Sequence, residues 1–137
     1  MSFSGTVEDR LAIRERLEAY ADAVFRRDAD SWIANWAEDA QWSLMGMTIT
    51  GKPAIRGAWE QAMSAFPLAA FFTQPGAIEI DGTRATVRAW TQEVLTLPGG
   101  GLRRIVGRYD DVLVKTDGQW LFARRDYTVL HDKEEAS

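Results

Sequence analysis

Two Asp-Gly pairs and one Pro-Gly-Gly-Gly run cut the second half of this chain into four long segments. No other feature constrains the fold as strongly. Asp81-Gly82 and Asp117-Gly118 suit type I′ turns, which need positive φ at both central residues. Pro98-Gly99-Gly100-Gly101 makes a looser loop. The segments predicted between them, 72–80, 84–97, 102–115 and 119–130, alternate apolar and polar residues as strands do. Strands joined this way form an antiparallel meander. Gly107, inside the third of them, is placed for a bulge that lets a long strand bend.

The first half reads as helical. Thr6-Val7-Glu8-Asp9 has the form of a helix start, with Thr6 capping the amide three residues on. Ile13, Leu17, Tyr20 and Val24 then recur at helical spacing to about Arg27. Asp28 and Asp30 are caps for a short second helix carrying Trp32, Ile33 and Trp36. The pattern turns extended from Ala40, with a strand and a turn over 42–47. Pro53 opens a third helix striped with Ile55, Trp59, Ala62, Met63 and Phe66. Phe66-Pro67 closes it. Helices followed by a meander predict an α+β fold, with the helices on one face of a curved sheet. At 137 residues the chain reads as one domain, 1–137, with a polar tail at 131–137 expected to fray.

Composition narrows the function. The net charge of −4 offers no basic stripe for nucleic acid. There is no cysteine, which excludes disulfides and thiol nucleophiles and fits a reducing, cytoplasmic setting. No apolar run is long enough to span a bilayer. No His-Glu or Asp-Asp cluster has metal-ligand spacing, so neither a metal nor a cofactor is expected. The six Trp, six Phe and three Tyr suit either a core or a pocket wall.

Five stretches together resemble the SnoaL-like family of the nuclear-transport-factor-2-like superfamily. They begin with Tyr20 to Asp30 and Trp36-Ala-Glu-Asp-Ala-Gln-Trp42. Gly51-Lys-Pro-Ala-Ile55, Gly107-Arg-Tyr-Asp-Asp111 and Asp117-Gly-Gln-Trp120 follow. The resemblance runs from about Thr6 to Val129. It implies a cone of antiparallel sheet closed by three N-terminal helices around a deep pocket. The superfamily holds scytalone dehydratase, ketosteroid isomerase, polyketide cyclases, a hexachlorocyclohexane dehydrochlorinase and limonene epoxide hydrolase, together with members that have no catalytic role. Its dehydratase-like members pair an aspartate late in the first helix with a histidine after the third. Here Phe25 stands at the aspartate position. The histidine region reads Ala70-Phe71-Phe72-Thr73-Gln74-Pro75, and the only histidine, His131, lies in the tail.

Without that dyad, the candidates are carboxylates and phenols. Glu93 lies on a strand face of small and apolar residues, Ala85, Val87, Ala89, Thr91 and Leu95. A carboxyl there is either a base with a raised pKa or an acid paired with an arginine. Tyr20, Tyr109 and Asp111 are the other catalytic candidates, the tyrosines as donors to a developing oxyanion. Each has a plainer alternative as a satisfied core residue, and Asp111 can bridge to Arg125. The candidate ligand-binding residues are Trp42, Phe25, Trp59, Met63, Phe71, Ile105 and Arg125. One functional expectation is a cofactor-independent lyase or isomerase acting on a small, apolar, oxygenated substrate. The other is a non-catalytic ligand-binding or structural dimer module. A homodimer is expected through the outer sheet face, assigned Trp90, Val94, Val106, Trp120 and Phe122.

Overall fold

A computed structural model describes residues 1–136. Helix α1 spans Val7–Arg26, α2 Ala29–Ile33 and α3 Lys52–Met63. The strands are β1 Trp36–Leu44, β2 Met47–Thr50, β3 Ala69–Asp81, β4 Arg84–Thr96, β5 Leu102–Thr116 and β6 Gln119–Glu135. They form one six-stranded sheet in the order β2-β1-β6-β5-β4-β3. From β3 to β6 every pairing is antiparallel, as is β1 with β2. The β1–β6 joint is parallel, as is an isolated bridge from Phe3 to Ile78 on β3. Trp36, assigned to the second helix from its spacing, instead begins β1.

Helix α1 starts where the sequence places it: the Thr6 hydroxyl accepts from the Asp9 amide at 3.1 Å. Asp9 also accepts from the Trp120 indole at 3.0 Å and pairs with Lys115 at 3.1 Å, which ties the helix to the closing hairpin. Farther along, Arg16 donates to the Trp120 carbonyl at 2.7 Å and to the Asn35 side chain at 2.8 Å. The Asn35 carbonyl in turn accepts from the Phe122 amide at 2.9 Å. Ile13, Leu17, Tyr20, Ala23 and Val24 form the buried stripe of α1. They share one core with Ala85, Val87 and Ala89 of β4, whose small side chains let the helix lie close to the sheet.

Two bulges on β6 decide which of its residues face inward. Val112 pairs with Arg124 and Leu113 with Phe122, which leaves Ala123 extra. Val106 pairs with His131 and Gly107 with Val129, which leaves Leu130 extra. Each extra residue reverses the alternation of the strand. Trp120 and Phe122 are therefore buried in the core, which corrects their assignment to the outer face. Beyond Ala123 the odd residues Arg125, Tyr127 and Val129 turn inward, and beyond Leu130 Asp132 does so. The tail expected to fray is strand as far as Glu135, because β5 supplies partners up to Leu102. Ser137 lies outside the described residues.

The bulge expected at Gly107 is not in its own strand: the extra residue, Leu130, lies opposite it on β6, and the glycine has a different role. A Cβ there would overlap the ring and hydroxyl of Tyr127. The glycine makes room for a phenol laid across the strand. Gly107→Ala should displace that ring and destabilise the protein by about 1–3 kcal/mol. Urea unfolding measures this, and an unchanged midpoint would show that the ring is free to swing away.

Candidate functional site

The concave face of the sheet is filled at one end and hollow at the other. Where α1 runs out, a cavity of about 170 Å³ opens. That is about the volume that holds one aromatic ring, ~150 Å³. Tyr20 and Val24 of α1, Trp42 and Leu44 of β1, and Trp59 and Met63 of α3 supply one side of it. The sheet supplies Phe71, Glu93, Leu95, Arg103, Ile105, Tyr109, Tyr127, Val129 and Asp132. Strand register explains this set. Phe71, Glu93, Ile105 and Asp132 form one row across β3 to β6, and Tyr109 and Tyr127 form a facing pair in a second row.

The floor rests on a buried ion pair. Arg125 donates to Asp111 through Nε at 2.7 Å and Nη2 at 3.0 Å. Its guanidinium carbon lies 3.7 Å from the Tyr109 ring centre, 4.2 Å from Phe122 and 4.5 Å from Tyr20. The cation is thus held by a carboxylate in its plane and aromatic rings against its faces. Burial pushes the Asp111 carboxyl up to about 6, against the pull of Arg125. Burial opposes the Arg125 charge, but Asp111 together with Tyr20 and Tyr109 outweighs it and keeps the guanidinium a cation.

The phenols sit above this pair. The Trp42 indole donates to the Tyr109 oxygen at 3.0 Å, which leaves the Tyr109 O–H to donate elsewhere. Burial pushes both the Tyr20 and Tyr109 phenols up, so both stay protonated donors. Tyr127 donates to Glu93 Oε1 at 3.3 Å. Burial in the apolar wall pushes the Glu93 carboxyl up to about 7, while the Tyr127 hydroxyl and the Arg103 charge pull it partly back and Asp132 adds to the rise. Among the described residues Glu93 makes no ion pair. It is an acid poised to gain or lose a proton near neutrality.

Eight of the residues singled out from sequence meet at this cavity: Glu93, Tyr20, Tyr109, Trp42, Trp59, Met63, Phe71 and Ile105. Three do not. Asp111 and Arg125 lie beneath the floor, paired with each other while Arg125 Nη1 has no hydrogen-bond partner, and neither lines the cavity. Phe25 is 39% exposed and packs edge-on against Phe72 at 5.3 Å, outside the cone. The turn of α1 presents Val24 to the cavity instead, so the wall is apolar at the helix as well as at Phe71. Sequence reasoning missed Tyr127, Arg103 and Asp132. The strand glycine at 107 was the available sign of Tyr127. Asp132 was hidden because the tail read as frayed.

No group of three His, Cys, Asp or Glu able to hold a metal ion occurs among the described residues. Among the described residues, no helix is long and apolar enough to cross a membrane.

The fold has many relatives. A family model of the SnoaL-like domain matches residues 5–126. A candidate scytalone dehydratase from Novosphingobium aromaticivorans is 21% identical, with a TM-score of 0.87 over 96% of this chain and 90% of that one. A type 2 hexachlorocyclohexane dehydrochlorinase is 16% identical, with a TM-score of 0.85 over 96% of this chain and 91% of that one. A Mycobacterium tuberculosis protein of unknown function is 26% identical, with a TM-score of 0.83 over 90% of this chain and 77% of that one. No curated protein matches the sequence.

The state of Glu93 has a thermodynamic consequence. An unfolded glutamate titrates near ~4.3, and this one in the fold at about 7. The folded state holds the proton more tightly. The contribution is fully present below about 4 and is lost as pH rises to about 7. Glu93→Gln removes the effect. Relative to the unmodified protein, the variant should gain up to about 3 kcal/mol of stability between about pH 4 and pH 8. Urea titrations at the two pH values measure it, and a difference independent of pH would place Glu93 in water.

Proposed function

The chain belongs to the SnoaL-like domain family, and from that premise we propose that it is a cofactor-independent lyase or isomerase. Its substrate is a small, apolar, oxygenated molecule of about one ring. The observation that carries this reading is the Glu93 carboxyl, held at about 7 in a wall of apolar and aromatic side chains. An acid so placed takes a proton from carbon at neutral pH without help from imidazole. The Tyr109 O–H, its oxygen already engaged by Trp42, is the donor for the charge that develops on the substrate oxygen. Tyr20 stands behind it as a second donor. Tyr127 holds the Glu93 carboxylate in place. The step removes a proton from the carbon next to a carbonyl, delivers it to Glu93 and leaves an enolate at Tyr109. Delivery of the proton to a different carbon of a conjugated dienolate gives isomerisation, and departure of a β-substituent with its bonding electron pair gives elimination.

Two apolar residues favour a second reading. Val24 and Phe71 stand at the helix and sheet walls of the cavity. A pocket so lined suits a binding protein with no chemistry, in which Glu93 and the phenols only orient the ligand.

Exchange of α-deuterium from 1-indanone separates the two readings. The enzyme reading expects washout that rises with pH through about 7 as Glu93 ionises. Washout should fall at least about 100-fold in Glu93→Gln and persist in His131→Ala. Binding of the ketone without exchange would establish the non-catalytic reading.

We also propose a homodimer through the outer sheet face. Phe72, Trp90 and Val106 are exposed there around a shallow groove. Light scattering should give the dimer mass, and Trp90→Asp the monomer mass. A monomer across micromolar concentrations of the unmodified protein would refute the interface.

A further inference from the structure

The charges around the cavity do not balance. Arg103 faces it, but Nε and Nη2 lie on the two Asp132 oxygens at 2.9 and 2.7 Å. Arg125, under the floor, is matched by Asp111 in the same bidentate way. Two guanidinium groups and two carboxylates therefore cancel. Glu93 is the third carboxylate, and among the described residues it has no ion-pair partner. Its hydrogen bond comes from the neutral Tyr127 hydroxyl at 3.3 Å.

The elements packed around Glu93 bring no further charge to the cavity. Helix α1 contributes Tyr20 and Val24, α3 contributes Trp59, Ala62 and Met63, and β3 contributes Phe71. Strand β1 adds Trp42 and Leu44, and on β5 Ile105 and Tyr109 are neutral at working pH. The site thus has a place for one positive charge. The walls around that place are rich in rings, whose electron-rich faces attract cations.

We propose that this cavity recognises small organic cations, with an ammonium N–H on the Glu93 carboxylate and a ring-sized apolar body against Trp42, Trp59 and Phe71. The inference rests on the reading of the cavity as a ligand site and adds to it the charge of a ligand class. In the empty site a proton fills the vacant place, as the raised Glu93 titration near about 7 reflects. An ammonium ligand displaces that proton. Affinity for an amine that stays protonated over this range then rises about tenfold per pH unit up to about 7 and levels off above it. A neutral ligand of the same shape shows no such dependence.

Benzylamine and benzyl alcohol share a body and differ in charge, so calorimetric titration with each tests the proposal. Benzylammonium should bind at least about tenfold more tightly than the alcohol at about pH 8. It should lose about 30-fold on going to about pH 5.5, with the alcohol unchanged. Glu93→Gln should bring the two ligands within about twofold, and retained alcohol binding would show that the variant keeps its cavity. Equal affinities at about pH 8 would overturn the proposal, as would a preference for the amine that survives in Glu93→Gln. Binding of the alcohol alone would overturn it while leaving the cavity a ligand site. Binding of neither would remove the ligand-site reading as well.

Discussion

The Arg125–Asp111 pair is the interaction on which the rest of the inner face depends. Both groups are buried, and Arg125 has 0% of its surface exposed. An isolated guanidinium could not stay there. It does so because Asp111 lies directly across the β5–β6 ladder and three rings close around it. Those rings are not passive. Tyr20 comes from α1, Tyr109 from β5 and Phe122 from β6, so a single cation fixes how the helix sits over the sheet. It also fixes where the two phenols of the cavity floor stand. Breaking such a pair from one side typically costs about 3–5 kcal/mol, because the remaining charge is left in an apolar medium.

The same sheet carries the opposite arrangement one step outward. Tyr127 lies across Gly107 and reaches Glu93, which has a hydroxyl for company but no cation. The floor is electrically closed and the middle of the cavity is not. A chemically responsive carboxyl needs this contrast. Were Arg103 turned to Glu93 instead of Asp132, the acid would be held ionised and would be a weak base. The extension of β6 to Glu135 is what supplies Asp132 and keeps Arg103 occupied.

Proteins with this cone include a hexachlorocyclohexane dehydrochlorinase and a candidate scytalone dehydratase. At 16% and 21% identity they share the scaffold, and the scaffold does not fix the chemistry. In this chain His131 is the only histidine. It sits exposed on β6 opposite Val106, outside the residues that line the cavity. The titratable groups that line the cavity are therefore Glu93, Asp132, Arg103 and three phenols, with no imidazole among them.

The sequence by itself determined the three helices and the four-stranded meander, though not β2 or the start of β1 at Trp36. The Asp117-Gly118 turn, with both residues at positive φ, the Thr6 cap, Pro53 and the stripe from Ile13 to Val24 are local signals, because turn and cap chemistry depends on a few adjacent residues. The other hairpin is not the type I′ turn expected at Asp81-Gly82, since it turns on Gly82-Thr83 with only the glycine at positive φ. It also determined that Glu93 lies on an apolar face, since β4 runs without a bulge from Ala85 to Leu95 against β5 and alternation holds there. Only the tertiary structure decided the inner face of β6. Two single-residue bulges reverse its alternation, sending Trp120 and Phe122 inward before Arg125 and bringing Asp132 to the cavity after it. A bulge depends on how one strand meets its neighbour and leaves little trace in its own residues. Phe25 illustrates the same limit on the helix: one position, about 100° of turn, separates it from Val24. That turn decides which residue meets the cavity and which meets solvent.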